Sequence, residues 1–398
     1  MTGRGVMEGR VARALLLSLG PAVSLGLARF AYALILPAMR DDLGWSYAEA
    51  GAMNTANALG YLAGALLSAP LAMRLGNRRI FWVAMLITTL GLLISGLTPN
   101  YLLLLTFRTL VGFSGAVTFI SGAALASRLA VGAAGGSFIV GLYFGGVGLG
   151  IVTSGVGLPL LLERGTDTWP LAWLVLGGLG LVATFVGRHT ALSLPELERR
   201  PQGSRSGAFE TTLWLWPAAL AYFLFGLGYI TYMTFVIAFL RDQGTGTAQV
   251  SFFWLVLGLS TALSTFVWGR ALDKMRSGYA LALILLLNAV GAGIPLLSTT
   301  LAGLLASAVL FGSSFLSVVS AVTTIVRNTL PQHAWTGSIA FFTVLFSVGQ
   351  TLGPLLSGAL ADRSGDLRSG FLLSALLLLV GGGVALLQRD TSDTVSST

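Results

Sequence analysis

Cysteine is absent from all 398 residues, which excludes disulfides, thiolate metal sites and a cysteine nucleophile. Lysine occurs only at Lys274, and no glycine-rich turn leads into Gly-Lys-Ser or Gly-Lys-Thr, so the chain carries no P-loop nucleotide motor. Histidine occurs only at His189 and His333. Both fall in stretches read as loops, and no His-Glu-x-x-His or Gly-x-Ser-x-Gly pattern offers an enzyme. Charge itself is scarce, at 10% of residues, against 55% hydrophobic residues and a mean hydropathy of +0.84. A soluble domain carries about a quarter charged residues, so the composition points to a polytopic membrane protein, not an enzyme, with no cofactor and no metal expected.

The net charge of +8 and pI near 10.3 do not mark a nucleic-acid binder, because the basic residues lie between apolar runs and form no single patch. Runs long enough to cross a bilayer, about 20 apolar residues each, fall near 14–39, 49–73, 80–98, 101–127, 136–162 and 170–187, and again near 212–240, 248–269, 278–298, 301–326, 335–361 and 369–387. Arg4, Arg10 and Arg13 precede the first run, which is too long for a signal peptide and is read as an uncleaved span. Most basic residues, among them Arg74, Arg78, Arg79, Arg128, Arg199, Arg200, Arg270, Lys274 and Arg327, then fall on the side of the termini, with Arg40, Arg164, Arg241, Arg363 and Arg368 opposite. By the positive-inside rule both termini are cytoplasmic.

The fold expected is an all-α membrane protein of twelve transmembrane helices in two pseudo-symmetric six-helix halves. Its divisions are a cytoplasmic N-terminus 1–13, a first bundle 14–187, a cytoplasmic linker 188–211, a second bundle 212–387 and a tail 388–398. The symmetry is visible in the residues. Gly26-Leu-Ala-Arg29-Phe-Ala-Tyr32 recurs 200 positions on as Gly226-Leu-Gly-Tyr229-Ile-Thr-Tyr232, and Leu110-Val-Gly112 recurs as Leu310-Phe-Gly312. Two related halves imply a binding site near the membrane midplane at their interface.

The residues that would carry function are the polar ones inside apolar runs. An arginine at the centre of a membrane helix costs roughly 2.5–3.5 kcal/mol on insertion scales, so Arg29 and Arg108 are functional candidates by default. No Asp or Glu lies in the middle of any run. Neither guanidinium therefore has an evident buried carboxylate partner, their surroundings should be net positive, and a carboxylate, phosphate or sulfonate would supply the missing charge, which suits arginine's fork of donors. Tyr32 follows Arg29 by three positions and shares its face on a regular helix, as Tyr232 does with Tyr229. Asn57 and Gln350 are further candidates to line the path, within polar stripes Asn54, Asn57, Tyr61 and Thr343, Ser347, Gln350. Arg108 could equally brace its own bundle by bonding helix carbonyls.

The loops after the second and eighth runs give the family. Gly269, Asp273 and Lys274 match the Gly-x-x-x-Asp-Arg/Lys pattern of the major facilitator superfamily, and the first copy keeps Arg74, Gly76, Arg78 and Arg79 but has Met73 where the Asp usually stands. Arg108-Thr-Leu-Val-Gly112 is similar to the superfamily's Arg-x-x-x-Gly in span four, and Gly349-Gln-Thr-Leu-Gly-Pro354 with Ala361-Asp-Arg363 resembles a bacterial branch of mostly unassigned substrate. The resemblance implies the major facilitator fold, alternating access, a cavity lined by spans one, four, seven and ten in which Arg29 and Arg108 would converge on one anion, gating by Arg74, Gly76, Arg78, Gly269, Asp273 and Lys274, and a proton-coupling or substrate role for Arg108. With no acid in mid-membrane, coupling would ride on the substrate's own carboxylate or on Glu49 or Asp362 at helix ends.

Together these features describe a monomeric secondary transporter of a bacterial inner membrane that moves a small organic anion. An efflux transporter for amphipathic compounds is the alternative, weakened because the Gly-Pro-x-x-Gly-Gly signature of drug antiporters is missing from the fifth run. A membrane sensor that binds without transporting is a third.

Overall fold

The computed structural model describes residues 3–132, 135–194, 213–272, 275, 277–331 and 334–388. Twelve helices are long and apolar enough to cross a membrane. They are α1 (Met7–Leu43), α2 (Tyr47–Leu75), α3 (Asn77–Ser95), α4 (Tyr101–Ala130), α5 (Gly136–Leu162), α6 (Trp169–Leu192), α7 (Trp216–Asp242), α8 (Thr247–Leu272), α9 (Ser277–Leu297), α10 (Leu301–Thr329), α11 (Trp335–Ser364) and α12 (Arg368–Ala385). No strand occurs among the described residues. The sixth helix runs on to Leu192, which puts Arg188 and His189 in its last turns and not in a loop. His333 and most of the linker lie outside the described residues.

Local chemistry sets the helix limits. Ser46 and Glu49 form a capping box at the start of α2, the Ser46 side chain accepting from Glu49 N and the Glu49 carboxylate accepting from Ser46 N. Asn100 and Thr300 cap α4 and α10 through their side chains. Gly76 ends α2 at φ +82°, a conformation other residues resist. Large apolar side chains such as Leu102, Val182 and Phe185 are about two-thirds exposed, and form the lipid-facing surface.

Within the first half α2 and α3 pack on α4, and α6 packs on α3; in the second half α7 packs on α11 and α12, and α9 on α10 and α12. The halves meet along α5 with α8, α2 with α11, and α1 with α7. Small residues make this possible in lipid, where close backbone approach replaces the hydrophobic drive. At Gly148 of α5 a Cβ would run into Gly258 O and Ala262 N of α8. With twelve spans, the start of α1 and the end of α12 share one end of the bundle, the terminal end; the loops after α1, α7 and α11 lie at the opposite, far end.

Candidate functional site

The site begins with a fault in α1. Between Ala22 and Phe30 the helix widens into π-turns, closed by Ala31 N donating to Gly26 O at 3.0 Å. Pro21, which has no N–H, stands at its entrance. Such turns shift the register of every side chain beyond them and recur at functional sites. Here the shift separates Arg29 from Tyr32, which regular helical spacing puts on one face.

Arg29 is 3% exposed and reaches across the molecule, its Nη2 donating to Gln350 Oε1 at 2.8 Å between residues 321 apart. Tyr229 OH donates to the same oxygen at 3.0 Å. Two donors on one atom fix the Gln350 amide, since only its oxygen can accept. The amide nitrogen is thereby turned elsewhere, and Gln350 Nε2 is buried without a partner, as are Arg29 Nε and Ser347 Oγ one turn away on α11. The Tyr61 ring lies 5.4 Å from the guanidinium carbon. Among the described residues no carboxylate pairs with Arg29. The site thus holds a full positive charge and unused donors, and is short of acceptors.

Arg108 is placed differently. Its Nη1 donates to Ala28 O at 2.6 Å, its Nη2 to Asn54 Oδ1 at 2.9 Å and its Nε to Met53 O at 3.4 Å, while the Tyr32 and Trp173 rings lie 4.9 and 5.6 Å from its guanidinium carbon. Each nitrogen has a protein acceptor in its own half, and the two arginines share no hydrogen-bond partner. Arg108 ties α4 to α1 and α2. Tyr32 belongs to this brace: its OH donates to Ala50 O at 2.8 Å and its ring stacks on Trp173. Asn57 donates to Arg108 O at 3.2 Å and is buried in the same seam. Tyr232 bonds Ser307 at 2.7 Å and stacks on Phe311, inside the second half. Of the candidates for substrate contact, the structure gathers Arg29, Tyr229 and Gln350, and adds Tyr61.

Beside them stands a wall of rings. Tyr222, Phe225 and Tyr229 follow one face of α7 and stack with Phe346 of α11 and Phe315 of α10, with Phe225 to Tyr229 at 4.7 Å, Tyr222 to Phe346 at 4.8 Å, Tyr229 to Phe346 at 5.5 Å and Tyr229 to Phe315 at 6.1 Å. Interplanar angles in these pairs stay within 18°. Phe315 sits where α10 is interrupted between Leu301–Ser314 and Ser317–Thr329, and its ring meets Phe30 of α1 edge-on at 5.8 Å. Spacing of aromatics at 222, 225 and 229 is a sequence signal for this wall; the partners from α10 and α11 have none.

The far end is sealed across the halves. Asp362 of α11 accepts from Tyr47 N at 2.8 Å and Ala48 N at 2.9 Å, capping α2 from the other half. Tyr47 OH donates to Asp242 at 2.6 Å, Asn54 to Thr234 at 2.7 Å and Thr55 to Thr351 O at 2.7 Å. Glu49, the other acid considered for proton coupling, is exposed and held in its capping box. At the terminal end Arg78 donates to Leu192 O and Leu194 O and so caps α6 within its own half, and Arg74 is exposed. Gly269 lies in α8; Asp273 and Lys274 lie outside the described residues. Among the described residues no cluster of His, Cys, Asp or Glu could hold a metal.

Comparison with known proteins agrees with this architecture. The chain is 24% identical to the inner membrane transport protein YdhP of Escherichia coli K12 over 368 residues, 92% of each chain. It is 29% identical to human monocarboxylate transporter 11 over 92% of this chain and 78% of that one, and 24% identical to the probable sulfoacetate transporter SauU of Cupriavidus necator over 87% and 86%. A crystal structure of a bacterial homologue of the human lysosomal transporter Spinster, inward-facing and unoccupied, superposes with a TM-score of 0.73 at 15% identity over 95% of this chain and 96% of that one. The family model described as uncharacterised MFS-type transporter YbfB matches residues 21–386, and the protein therefore belongs to that family of major facilitator secondary transporters: a multi-pass membrane protein of twelve spans that moves small molecules and is not an enzyme.

Proposed function

We propose that the protein carries a small organic anion across the bacterial inner membrane, binding its anionic group at Arg29 with Gln350, Tyr229 and Tyr61 around it. The observation that carries this reading is the imbalance of donors: a buried guanidinium with no carboxylate beside it, whose Nε lies unpartnered near an equally unpartnered Gln350 Nε2. An unpaired buried charge is costly, and a carboxylate or sulfonate supplies both the missing charge and the missing acceptors. The names of two relatives, a monocarboxylate transporter and a probable sulfoacetate transporter, refer to anions of this kind.

Arg29 and Tyr61 come from the first half, Tyr229 and Gln350 from the second. A ligand here engages both halves at once, so its binding biases how they rock against each other, as alternating access requires. One chain supplies both halves, and the protein works as a monomer. Hydrogen bonds to Asp362, Asp242, Thr234 and Thr351 O hold the halves together at the far end, which favours access to the site from the terminal end. With the termini in the cytoplasm, this is an inward-facing state. Arg108 holds the first half together and does not touch substrate. Of the acids considered for proton coupling, Asp362 is the one that joins the halves, its two oxygens accepting from Tyr47 N and Ala48 N, and the coupling role is assigned to it.

The test is counterflow in proteoliposomes with radiolabelled monocarboxylates and sulfonates. Exchange of at least one of these anions, lost in Arg29→Gln and kept in Asp366→Ala, is the expected result. Exchange unaffected by Arg29→Gln overturns the site.

A further inference from the structure

We propose that the substrate is a planar aromatic monocarboxylate, whose carboxylate meets Arg29 and Gln350 and whose ring extends the stack formed by Tyr229, Phe346 and Phe315. This rests on the anion site proposed above and narrows it in two respects, charge and shape.

The charge follows from the inventory of groups. Arg29 is the one guanidinium at the site with an unused nitrogen, because every nitrogen of Arg108 is held by Ala28 O, Met53 O or Asn54 Oδ1. The other polar groups around it, Gln350, Tyr229, Tyr61 and Ser347, are neutral. One carboxylate therefore takes up the free donors, and Arg108, also positive, has its nitrogens occupied and offers a second carboxylate no hydrogen bond. The free donors also match one carboxylate: Arg29 Nε and Gln350 Nε2 belong to side chains already joined through Nη2 and Oε1.

The shape follows from the rings. The pairs Tyr222 and Phe346, Phe225 and Tyr229, Tyr229 and Phe346, and Tyr229 and Phe315 are all near parallel, with interplanar angles of 13°, 18°, 18° and 15°. Core aromatics packed only against one another commonly include edge-on pairs, as Phe30 and Phe315 do at 85°. A set of parallel planes from three helices instead leaves a flat face at its end, and Phe346, next to the Gln350 turn, is half-buried while most of its ring neighbours are buried. A flat ring lying on that face gains stacking that a puckered ring of the same size does not.

The experiment is equilibrium binding to the full-length protein in lipid nanodiscs at neutral pH, by calorimetry, with benzoate, cyclohexanecarboxylate and terephthalate. The first two share size and charge and differ in planarity; the third adds one charge to the same ring. Benzoate is expected to bind about fivefold or more tightly than cyclohexanecarboxylate and about tenfold or more tightly than terephthalate. In Phe346→Leu the benzoate advantage over cyclohexanecarboxylate falls below about twofold. Equal binding of the two monoanions in the parent protein overturns the aromatic preference and leaves the anion site intact. Terephthalate binding as well as benzoate overturns the charge count. Binding of none of the three, with acetate and methanesulfonate also silent, overturns the anion site on which the inference stands.

Discussion

Removing the Asp362 carboxylate tests the far-end seal, and the absence of cysteine makes the readout clean. Asp362→Ala deletes the acceptor of two hydrogen bonds, from Tyr47 N at 2.8 Å and Ala48 N at 2.9 Å, that join α11 to the start of α2. A hydrogen bond to a charged group is worth about 1.5–3 kcal/mol when buried. Asp362 is exposed, and water can replace part of the loss, so about 0.5 kcal/mol for each is the fair figure after screening. The sum, about 1 kcal/mol, shifts the balance between sealed and open far ends about fivefold. Thr234, fully buried and bonded to Asn54 of the other half, reports the seal once replaced by cysteine, the only thiol in the molecule. With Thr234→Cys as common background, the rate of labelling by a membrane-impermeant thiol reagent applied from the far side is expected to rise about fivefold in Asp362→Ala. Asp366→Ala is the control, since Asp366 accepts from Arg368 N within its own half, and should leave the rate unchanged. A rate that does not move with Asp362→Ala, or moves equally with Asp366→Ala, refutes the seal as described.

Further outcomes follow from the same geometry. Arg108→Gln leaves Ala28 O and Asn54 Oδ1 without their donor, costs about 3 kcal/mol, and should lower the melting temperature by about 5 °C or more, whereas Arg29→Gln should leave the melting temperature of the ligand-free protein unchanged or higher. Tyr61→Leu removes the ring 5.4 Å from the Arg29 guanidinium, worth about 1 kcal/mol, and should weaken anion binding about fivefold by calorimetry, while Tyr61→Phe keeps the ring and the affinity. Gly148→Val places side-chain atoms against Gly258 O and Ala262 N; it should sharply reduce the monodisperse fraction on size-exclusion chromatography, which Gly157→Val, at a position with open space around it, should not do.

The architecture was legible because a bilayer imposes a simple code. Runs of about 20 apolar residues placed all twelve helices, with boundaries differing chiefly at the helix ends: α1 starts before the apolar run and α6 continues past Arg188 to Leu192. Arg29 and Gln350 were legible as polar residues set in apolar runs, although their meeting across 321 residues was not. For Arg108 the sequence left a brace through helix carbonyls open beside a substrate role and could not choose between them, because two of its three acceptors are backbone carbonyls, Ala28 O and Met53 O, which every residue possesses. The widened turn in α1 was hidden too. Ala22-Val-Ser-Leu-Gly-Leu-Ala-Arg-Phe30 has no feature that distinguishes a π-turn from an α-turn, and the pairing of Tyr32 with Arg29 failed on that account.

The central claim is that Arg29 is the anion receptor. A bound ligand stabilises the state it binds, so the direct measurement is the melting temperature of purified protein and of Arg29→Gln across a series of monocarboxylates and sulfonates at fixed ionic strength. The account predicts that at least one anion raises the melting temperature of the parent protein in a saturable way, and that the same anion leaves Arg29→Gln unmoved. Equal stabilisation of both proteins, or stabilisation by lipophilic cations and by no anion, contradicts it.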